Sequence, residues 1–236
     1  MHFVKIIKKR IKVFFRLIKS FHTRDFFVPY KGINKTDLLI FDDIFPNPVS
    51  GFRYEEFKIL LNIFERSKIV VDNTAYSIVN KPIENHIQDV GEFQSQHEFK
   101  NKIKYRNGFV NINAKLFYCI FLNNISRNLL WLEKYKIPFI FTLYPGGGFK
   151  INETISDEKL VKAFASPMFR KVIVTQKITC DYLIEKNLCS SEKIEFVFGG
   201  VVPQISLNKN LIQKKSYLIN KITFDICFCA AKYTAK

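Results

Sequence analysis

Residues 171–198 read KVIVTQKITCDYLIEKNLCSSEKIEFVF, and this stretch decides the fold. It opens with an apolar, β-rich run at Lys171–Thr175, continues with a helical pattern over Thr179–Asn187 and ends with a second strand-like run at Ile194–Phe198. Both runs are nearly continuously apolar, which is typical of strands covered on both faces in a parallel sheet. The stretch therefore predicts a strand, a crossover helix and a second, parallel strand.

The same alternation of strand and helix extends along the chain from Asp37 onward. Further strands are predicted at Leu38–Ile44, Lys68–Val71, Leu116–Leu122, Phe139–Leu143 and Ile222–Cys229, and further helices at Arg53–Ser67, Ile125–Tyr135 and Asp157–Ala165. Residues 79–112 are largely polar without a clear period, and we interpret them as an irregular segment with room for one short helix. The repeated order predicts an α/β fold with a Rossmann-like, doubly wound, mostly parallel sheet.

Composition supports a folded globular protein, since 47% of the residues are hydrophobic and 25 are Phe. The five cysteines are scattered through mostly apolar runs, which favours buried free thiols in a reducing compartment. No stretch of eighteen apolar residues without charge occurs, so no transmembrane helix is predicted. The four histidines show no metal-ligand or Ser/His/Asp spacing, so we predict no metal site and name no catalytic residue.

Residues 1–24 contain eight basic residues and no acid, within a net charge of +16 for the whole chain. Their apolar residues recur at helical spacing, which predicts an N-terminal basic amphipathic helix. The cations that we expect to meet an anionic membrane surface are Lys5, Lys8, Lys9, Arg10, Lys12, Arg16 and Lys19. The alternative is that the apolar stripe packs on the protein's own core. Nucleic acid is not an expected partner, because the aromatic residues lie opposite the cations.

Two loops that follow predicted strands are candidates for ligand binding, since ligands of open α/β sheets bind at the carboxyl ends of strands. Residues 45–53 read FPNPVSGFR, where Ser50 can cap the following helix and Gly51 lets the backbone approach a ligand. Free amides at a helix start favour a phosphate, and Arg53 adds a charge. An ordinary strand-to-helix turn is the alternative. Just before this loop, Asp42 and Asp43 end the first strand, where they either face a sugar hydroxyl or cap a turn.

The second loop, residues 142–149, reads TLYPGGGF. Glycines lose more backbone entropy on folding than other residues, so a run of three indicates backbone that fits where side chains do not. We interpret Tyr144, Gly146, Gly147 and Gly148 as an acceptor or active-site loop, with a mobile surface loop as the alternative. The loop is not a P-loop, because no Gly-Lys-Ser/Thr follows it.

The order of these pieces resembles the acceptor-side half of retaining glycosyltransferases with the GT-B fold, in the large "group 1" family. The resemblance rests most on residues 171–203, with "KVIVT", "DYLIEKNLCSSEKI" and "EFVFGGVVP" in the family's order of strand, helix and strand. Residues 37–64, 139–149 and 221–233 also resemble family segments. The chain has Tyr144-Pro145 where the family often has a His, and Phe198-Gly199-Gly200 where the family has a "PNG" turn.

The resemblance implies an acceptor-side domain at residues 25–218 and the start of a truncated donor-binding domain at 219–236. It implies a nucleotide-sugar donor as substrate, no cofactor, and a glycan or lipid-linked acceptor, at the cytoplasmic face of a membrane. The donor phosphates are expected near Ser50, Gly51 and Arg53. Without the donor domain, whose glutamates hold the nucleotide-sugar in this family, the chain is expected to transfer no sugar alone. A non-catalytic membrane-peripheral binding protein is the alternative function, and a nucleic-acid binder is a third.

Overall fold

A computed structural model describes residues 27–47, 51–72, 83–97, 99, 101–106 and 108–197. The chain divides into two compact units, Met1–Val201 and Val202–Lys236, and every described residue lies in the first. The predicted basic helix at 1–24, the predicted strand at Ile222–Cys229 and the predicted domain start at 219 lie outside the described residues.

The described part consists of nine strands, five α-helices and one turn of 3-10 helix at Ser191–Lys193. The strands are β1 (Phe27–Tyr30), β2 (Thr36–Asp42), β3 (Ser67–Val71), β4 (Ile103–Tyr105), β5 (Gly108–Asn111), β6 (Ala114–Ile120), β7 (Phe139–Leu143), β8 (Phe169–Val174) and β9 (Ile194–Phe196). The helices are α1 (Gly51–Ile63), α2 (Ile83–Gln96), α3 (Leu122–Lys134), α4 (Thr154–Ala165) and α5 (Lys177–Glu185).

Seven strands form one parallel sheet in the order β4-β3-β2-β6-β7-β8-β9. Strands β3 and β4 follow β2 on one side of it. The chain then returns to the other side of β2, where β6, β7, β8 and β9 are added in order. This order confirms the predicted Rossmann-like, doubly wound fold, and the direction reverses between β2 and β6. Strands β1 and β5 pair in a separate two-stranded parallel sheet.

The two faces of the large sheet carry separate hydrophobic cores, because alternate residues of each strand point to opposite faces. Helices α1 and α2 cover one face, where Phe57 of α1 and Phe93 of α2 pack over Ile40. Helices α3, α4 and α5 cover the other face, around Phe117 and Phe141. Each strand of the centre is therefore apolar on both sides, which is why the strands read as continuous apolar runs.

The segment at residues 79–112 differs from its prediction as an irregular stretch. It contains the fourteen-residue helix α2 and the strands β4 and β5. The buried face of α2 is formed by His86, Val90 and Phe93, which recur at helical spacing. Because histidine is a polar residue, the sequence shows no continuous apolar face for this helix. Strand β1, also not predicted, has four residues and pairs with β5.

Gly91 offers a direct check of helix α2. It lies inside the helix, and a Cβ atom built there meets no heavy atom within 4 Å. Because glycine is the weaker helix former, Gly91→Ala is expected to raise the free energy of unfolding by about 0.5–1 kcal/mol. Urea denaturation followed by circular dichroism measures the change. A less stable variant would contradict the helical assignment.

Candidate functional site

Charged side chains collect at the carboxyl edge of the sheet, beside the point where the strand order reverses. Asp42 ends β2 and Asp43 follows it, Asp72 follows β3, Arg106 follows β4, and Arg127 reaches the same place from α3. Open α/β sheets bind ligands outside the carboxyl ends of their strands at such a point. These residues, with Arg53 of α1, are called the edge network below.

Asp42 holds the turn between β2 and α1. Its carboxylate is fully buried, and Oδ1 accepts hydrogen bonds from the backbone N–H groups of Ile44 (2.9 Å) and Phe45 (2.8 Å). Arg53 Nη1 lies 2.9 Å from Asp42 Oδ2. Burial raises the pKa of Asp42, and the neighbouring Arg53 partly offsets this rise. Asp42 therefore caps a turn, which is one of the two roles that the sequence left open.

The three residues predicted to bind donor phosphate are placed differently from one another. Ser50 lies outside the described residues. Gly51 is exposed and begins α1, two residues before the predicted helix start at Arg53, and a Cβ atom there meets nothing within 4 Å. Arg53 is buried, and its guanidinium contacts both Asp42 and Asp43, each at 2.9 Å. In this structure Arg53 binds the loop to the helix, and it does not extend toward solvent as a phosphate ligand does.

Asp72 connects the other two arginines of the edge network. Its Oδ2 accepts from Arg106 Nη1 at 2.9 Å and from Arg127 Nη1 at 3.2 Å. Arg127 Nη2 also lies 3.5 Å from Asp43 Oδ2, so Arg127 bridges the ends of β2 and β3. The side chain of Arg127 is 30% exposed, and a ligand can reach the network there. Three carboxylates and three guanidinium groups leave the edge network without net charge.

A second polar group lies between α1 and the strands β6 and β7. Tyr118 of β6 donates a hydrogen bond to Glu56 Oε1, and the Tyr118 and Thr142 hydroxyl oxygens are 2.7 Å apart. Since the Tyr118 proton goes to Glu56, the Thr142 hydroxyl donates to Tyr118. Burial raises the pKa of Glu56, and the charge of Asp42 adds to the rise. Burial also raises the pKa of Tyr118.

Three aromatic rings lie beside these two polar groups. The Phe52 and Tyr144 rings are 4.8 Å apart, the Phe121 and Tyr144 rings are 6.0 Å apart, and the Arg53 guanidinium lies 4.8 Å from the centre of the Phe121 ring. All three aromatic residues are only partly buried. Phe121 has φ 76°, which is unfavourable for a residue with a Cβ and therefore marks local backbone strain beside the edge network.

The glycine run after β7 forms a tight turn against the start of α3. Gly146 and Phe149 exchange two backbone hydrogen bonds, of 2.9 and 3.0 Å, and the Gly147 carbonyl accepts from the Asn123 N–H at 2.9 Å. All three glycines have positive φ. A Cβ on Gly147 would overlap Phe121, and one on Gly148 would overlap Asn123. The glycine backbone is therefore in close contact with Phe121 and Asn123 at the start of α3. These contacts are within the protein, whereas the sequence suggested contact with a ligand.

His86 is a site residue that the sequence reasoning did not single out. It is fully buried, and its Nε2–H donates to the Phe45 carbonyl oxygen at 2.7 Å, which fixes the β2–α1 loop from the side of α2. Burial lowers the pKa of His86, so the neutral ring is favoured. The helical spacing of His86, Val90 and Phe93 was the signal that could have located it.

Comparison with protein-family models, with curated proteins and with solved structures finds no match to this chain. Among the described residues, no helix is both long and apolar enough to cross a bilayer. No three His, Cys, Asp or Glu residues of the described ranges come together as ligands for a metal ion. The role of the site is therefore argued from its own geometry.

Gly147 tests whether the turn depends on close packing. Gly147→Ala brings a methyl group into the Phe121 side chain, whose Cβ would lie 2.5 Å away, at a backbone with φ 53°. We expect a loss of about 2 kcal/mol or more in the free energy of unfolding. Urea denaturation measures it, with Gly51→Ala as the control because the added Cβ there meets open space. Equal stability of both variants would argue against the packed turn.

Glu56 tests the buried polar group through pH. Because its pKa is raised above the usual 4.5, the folded protein holds this proton to a higher pH than the unfolded chain does. Its contribution to stability is therefore present in acid and is lost as the pH rises from about 4.5 through the raised pKa. Glu56→Gln should remove that part of the slope in unfolding free energy against pH, measured by urea denaturation at several pH values. An unchanged slope would contradict the raised pKa.

Proposed function

We propose that the chain is the acceptor-binding half of a nucleotide-sugar-dependent glycosyltransferase, and that the carboxyl edge of the sheet holds a neutral glycan. The observation that carries the proposal is the charge-balanced edge network, which lies next to three partly exposed aromatic rings where the strand order reverses. The fold alone supports many functions, so the proposal depends on the chemistry of this edge.

The balance of charge favours hydroxyl groups over phosphates. A diphosphate binds where cations are in excess and free to make charge-assisted hydrogen bonds. In the edge network each guanidinium already contacts a carboxylate, as Arg53 does with Asp42 and Arg127 does with Asp72. A sugar hydroxyl both donates and accepts hydrogen bonds, so it fits between carboxylate and guanidinium groups without adding charge. The proposal therefore assigns this edge to the acceptor, and no longer assigns Arg53 to the donor phosphate.

The aromatic residues suit the apolar face of a sugar ring. Phe52 and Tyr144 are partly exposed neighbours, and Glu56 is half-buried one helical turn after Phe52. Binding sites for small molecules combine such apolar walls with a few well-placed polar groups. A sugar ring on this wall would place a hydroxyl near Glu56. Burial raises the pKa of Tyr144, and the nearby charge of Glu56 adds to the rise.

The proposed reaction follows from these positions. The acceptor hydroxyl oxygen attacks the anomeric carbon of the nucleotide-sugar, a new C–O bond forms, and the diphosphate leaves with the electron pair of the broken bond. The hydroxyl proton passes to the Glu56 carboxylate, for which a raised pKa is suited. The described residues contribute by holding the acceptor in a fixed orientation.

Ligand binding by the edge can be measured by saturation-transfer NMR with neutral oligosaccharides and, separately, with nucleoside diphosphates. We expect signals from a glycan, and Arg127→Gln should weaken its binding about tenfold, because a hydrogen bond to a charged group is lost. Arg66→Gln is the matched control. Arg66 is an exposed arginine in an ion pair with Asp37 (2.9 Å), at the opposite edge of the sheet.

Two results would overturn the proposal. One is nucleoside diphosphate binding that depends on Arg127 while no glycan binds, since this would make the edge a phosphate site. The other is equal glycan affinity for the Arg127→Gln and Arg66→Gln variants, since binding would then lie elsewhere. Unfolding in urea is measured for both variants, so that a folding defect is recognised separately.

A further inference from the structure

The amino edge of the sheet, opposite the edge network, carries two adjoining grooves. One has a volume of about 620 Å³ and lies at the amino ends of β2, β3 and β4. The other, of about 250 Å³, lies beside β1 and β5 and shares Asn34 and Lys68 with the first. Five basic residues line them, against the single carboxylate of Glu65: Lys35, Arg66, Lys68, Lys102 and Lys104. This edge is therefore strongly positive, whereas the opposite edge is charge-balanced.

Large apolar side chains protrude from the same surface. Ile33 is 98% exposed and lines the first groove, and Phe109 is 74% exposed and lines the second. Tyr30 lies beside Phe109, with 6.4 Å between the ring centres. Exposed apolar groups that gather on one surface among polar residues mark an interaction site. We call Tyr30, Ile33 and Phe109, with the grooves' lysines, the amino-edge surface.

The exposure of Ile33 is fixed by the structure of its loop. The Gly32 N–H donates to Asn111 Oδ1 at 3.1 Å, and Asn113 Nδ2 donates to the Gly32 carbonyl at 2.7 Å. Asn111 Nδ2 also donates to the Asn34 carbonyl at 3.2 Å. A Cβ on Gly32 would lie 2.5 Å from Asn111 Nδ2, so a side chain there would have to displace the Asn111 amide that makes these hydrogen bonds. The loop thus holds Ile33 outward on a fixed backbone.

The lysines around the apolar residues are available to a partner. Arg66 pairs with Asp37, and Lys102 donates to the Leu61 carbonyl at 2.6 Å. By contrast, the ammonium groups of Lys35, Lys68 and Lys104 form no ion pair with any carboxylate among the described residues. A partner with negative charge would therefore gain interactions with them at little cost in broken pairs.

We propose that the amino-edge surface docks on an anionic phospholipid bilayer, with Ile33 and Phe109 entering the headgroup layer and the three lysines contacting lipid phosphates. An aliphatic tip such as Ile33 gains from the acyl boundary and cannot stack on a nucleic-acid base, which favours lipid over nucleic acid. Sequence position agrees, because residues 1–24, with eight cations and no acid, end two residues before β1 begins. The inference does not depend on the proposed glycosyltransferase function.

Tryptophan fluorescence reports this surface separately from the rest of the chain. The protein has one Trp, so Phe109→Trp in a Trp131→Phe background places a single probe on the amino-edge surface. Vesicles of phosphatidylcholine with phosphatidylglycerol should shift its emission to shorter wavelength, and brominated lipid should quench it. The control, Ile178→Trp in the same background, places a probe at the start of α5, where Ile178 is also well exposed (63%), and should be unaffected.

The full chain with its native aromatic residues gives a second measurement. Replacing Lys35, Lys68 and Lys104 together by Gln should lower the affinity for the anionic vesicles about 100-fold. Replacing Lys150, Lys159 and Lys177 by Gln removes the same charge from the other edge and should change the affinity little. An unquenched Trp at position 109 with bound vesicles, or equal losses from the two triple variants, would overturn the proposal. A Trp shift with single-stranded nucleic acid and none with vesicles would also overturn it.

Discussion

The buried contact between Asp42 and Arg53 is the interaction on which the carboxyl edge depends. Two charges without water are stable only when their remaining hydrogen-bonding positions are filled, and loss of one partner of such a pair costs about 3–5 kcal/mol. Here the two backbone N–H groups of the turn fill them on Asp42, and Asp43 adds a second carboxylate to Arg53. The pair thereby ties the end of β2, the following loop and the start of α1 into one unit.

The neighbouring features of the edge depend on that unit. The Arg53 guanidinium lies over the Phe121 ring, and Phe121 in turn occupies the space that a side chain at Gly147 would need. The backbone at Phe121, with its positive φ, and the glycine turn therefore pack against each other at the ends of β6 and β7. His86 supports the same loop from α2 through the Phe45 carbonyl. A ligand at this edge would meet groups whose positions are already set, which lowers the entropy lost on binding.

The sequence predicts features that depend on neighbouring residues along the chain, and it does not predict features that depend on the strand order. Strands such as β7 were predicted to the residue because apolar runs are local. The position and length of helix α2 were not predicted, because its buried face includes the polar residue His86, and β4 was not predicted because three residues carry no pattern. At the site, Asp42 and the glycine run stand out locally. Glu56 and Tyr118 resemble ordinary helix and strand residues, and Arg127 meets Asp72 only through the strand order, which a single sequence does not specify.

The amino edge of the sheet is positively charged and the carboxyl edge is charge-balanced, and the length of the strands fixes the distance between them. Strand β2 joins them, and its seven residues at about 3.3 Å each span about 23 Å. Under the membrane-docking proposal, the amino edge lies in the headgroup layer, so the edge network faces away from the bilayer by about that distance. An acceptor sugar attached directly to a lipid headgroup would not reach it. The outer end of an extended glycan would reach it, and a neutral end rich in hydroxyl groups has the chemistry that a charge-balanced network suits.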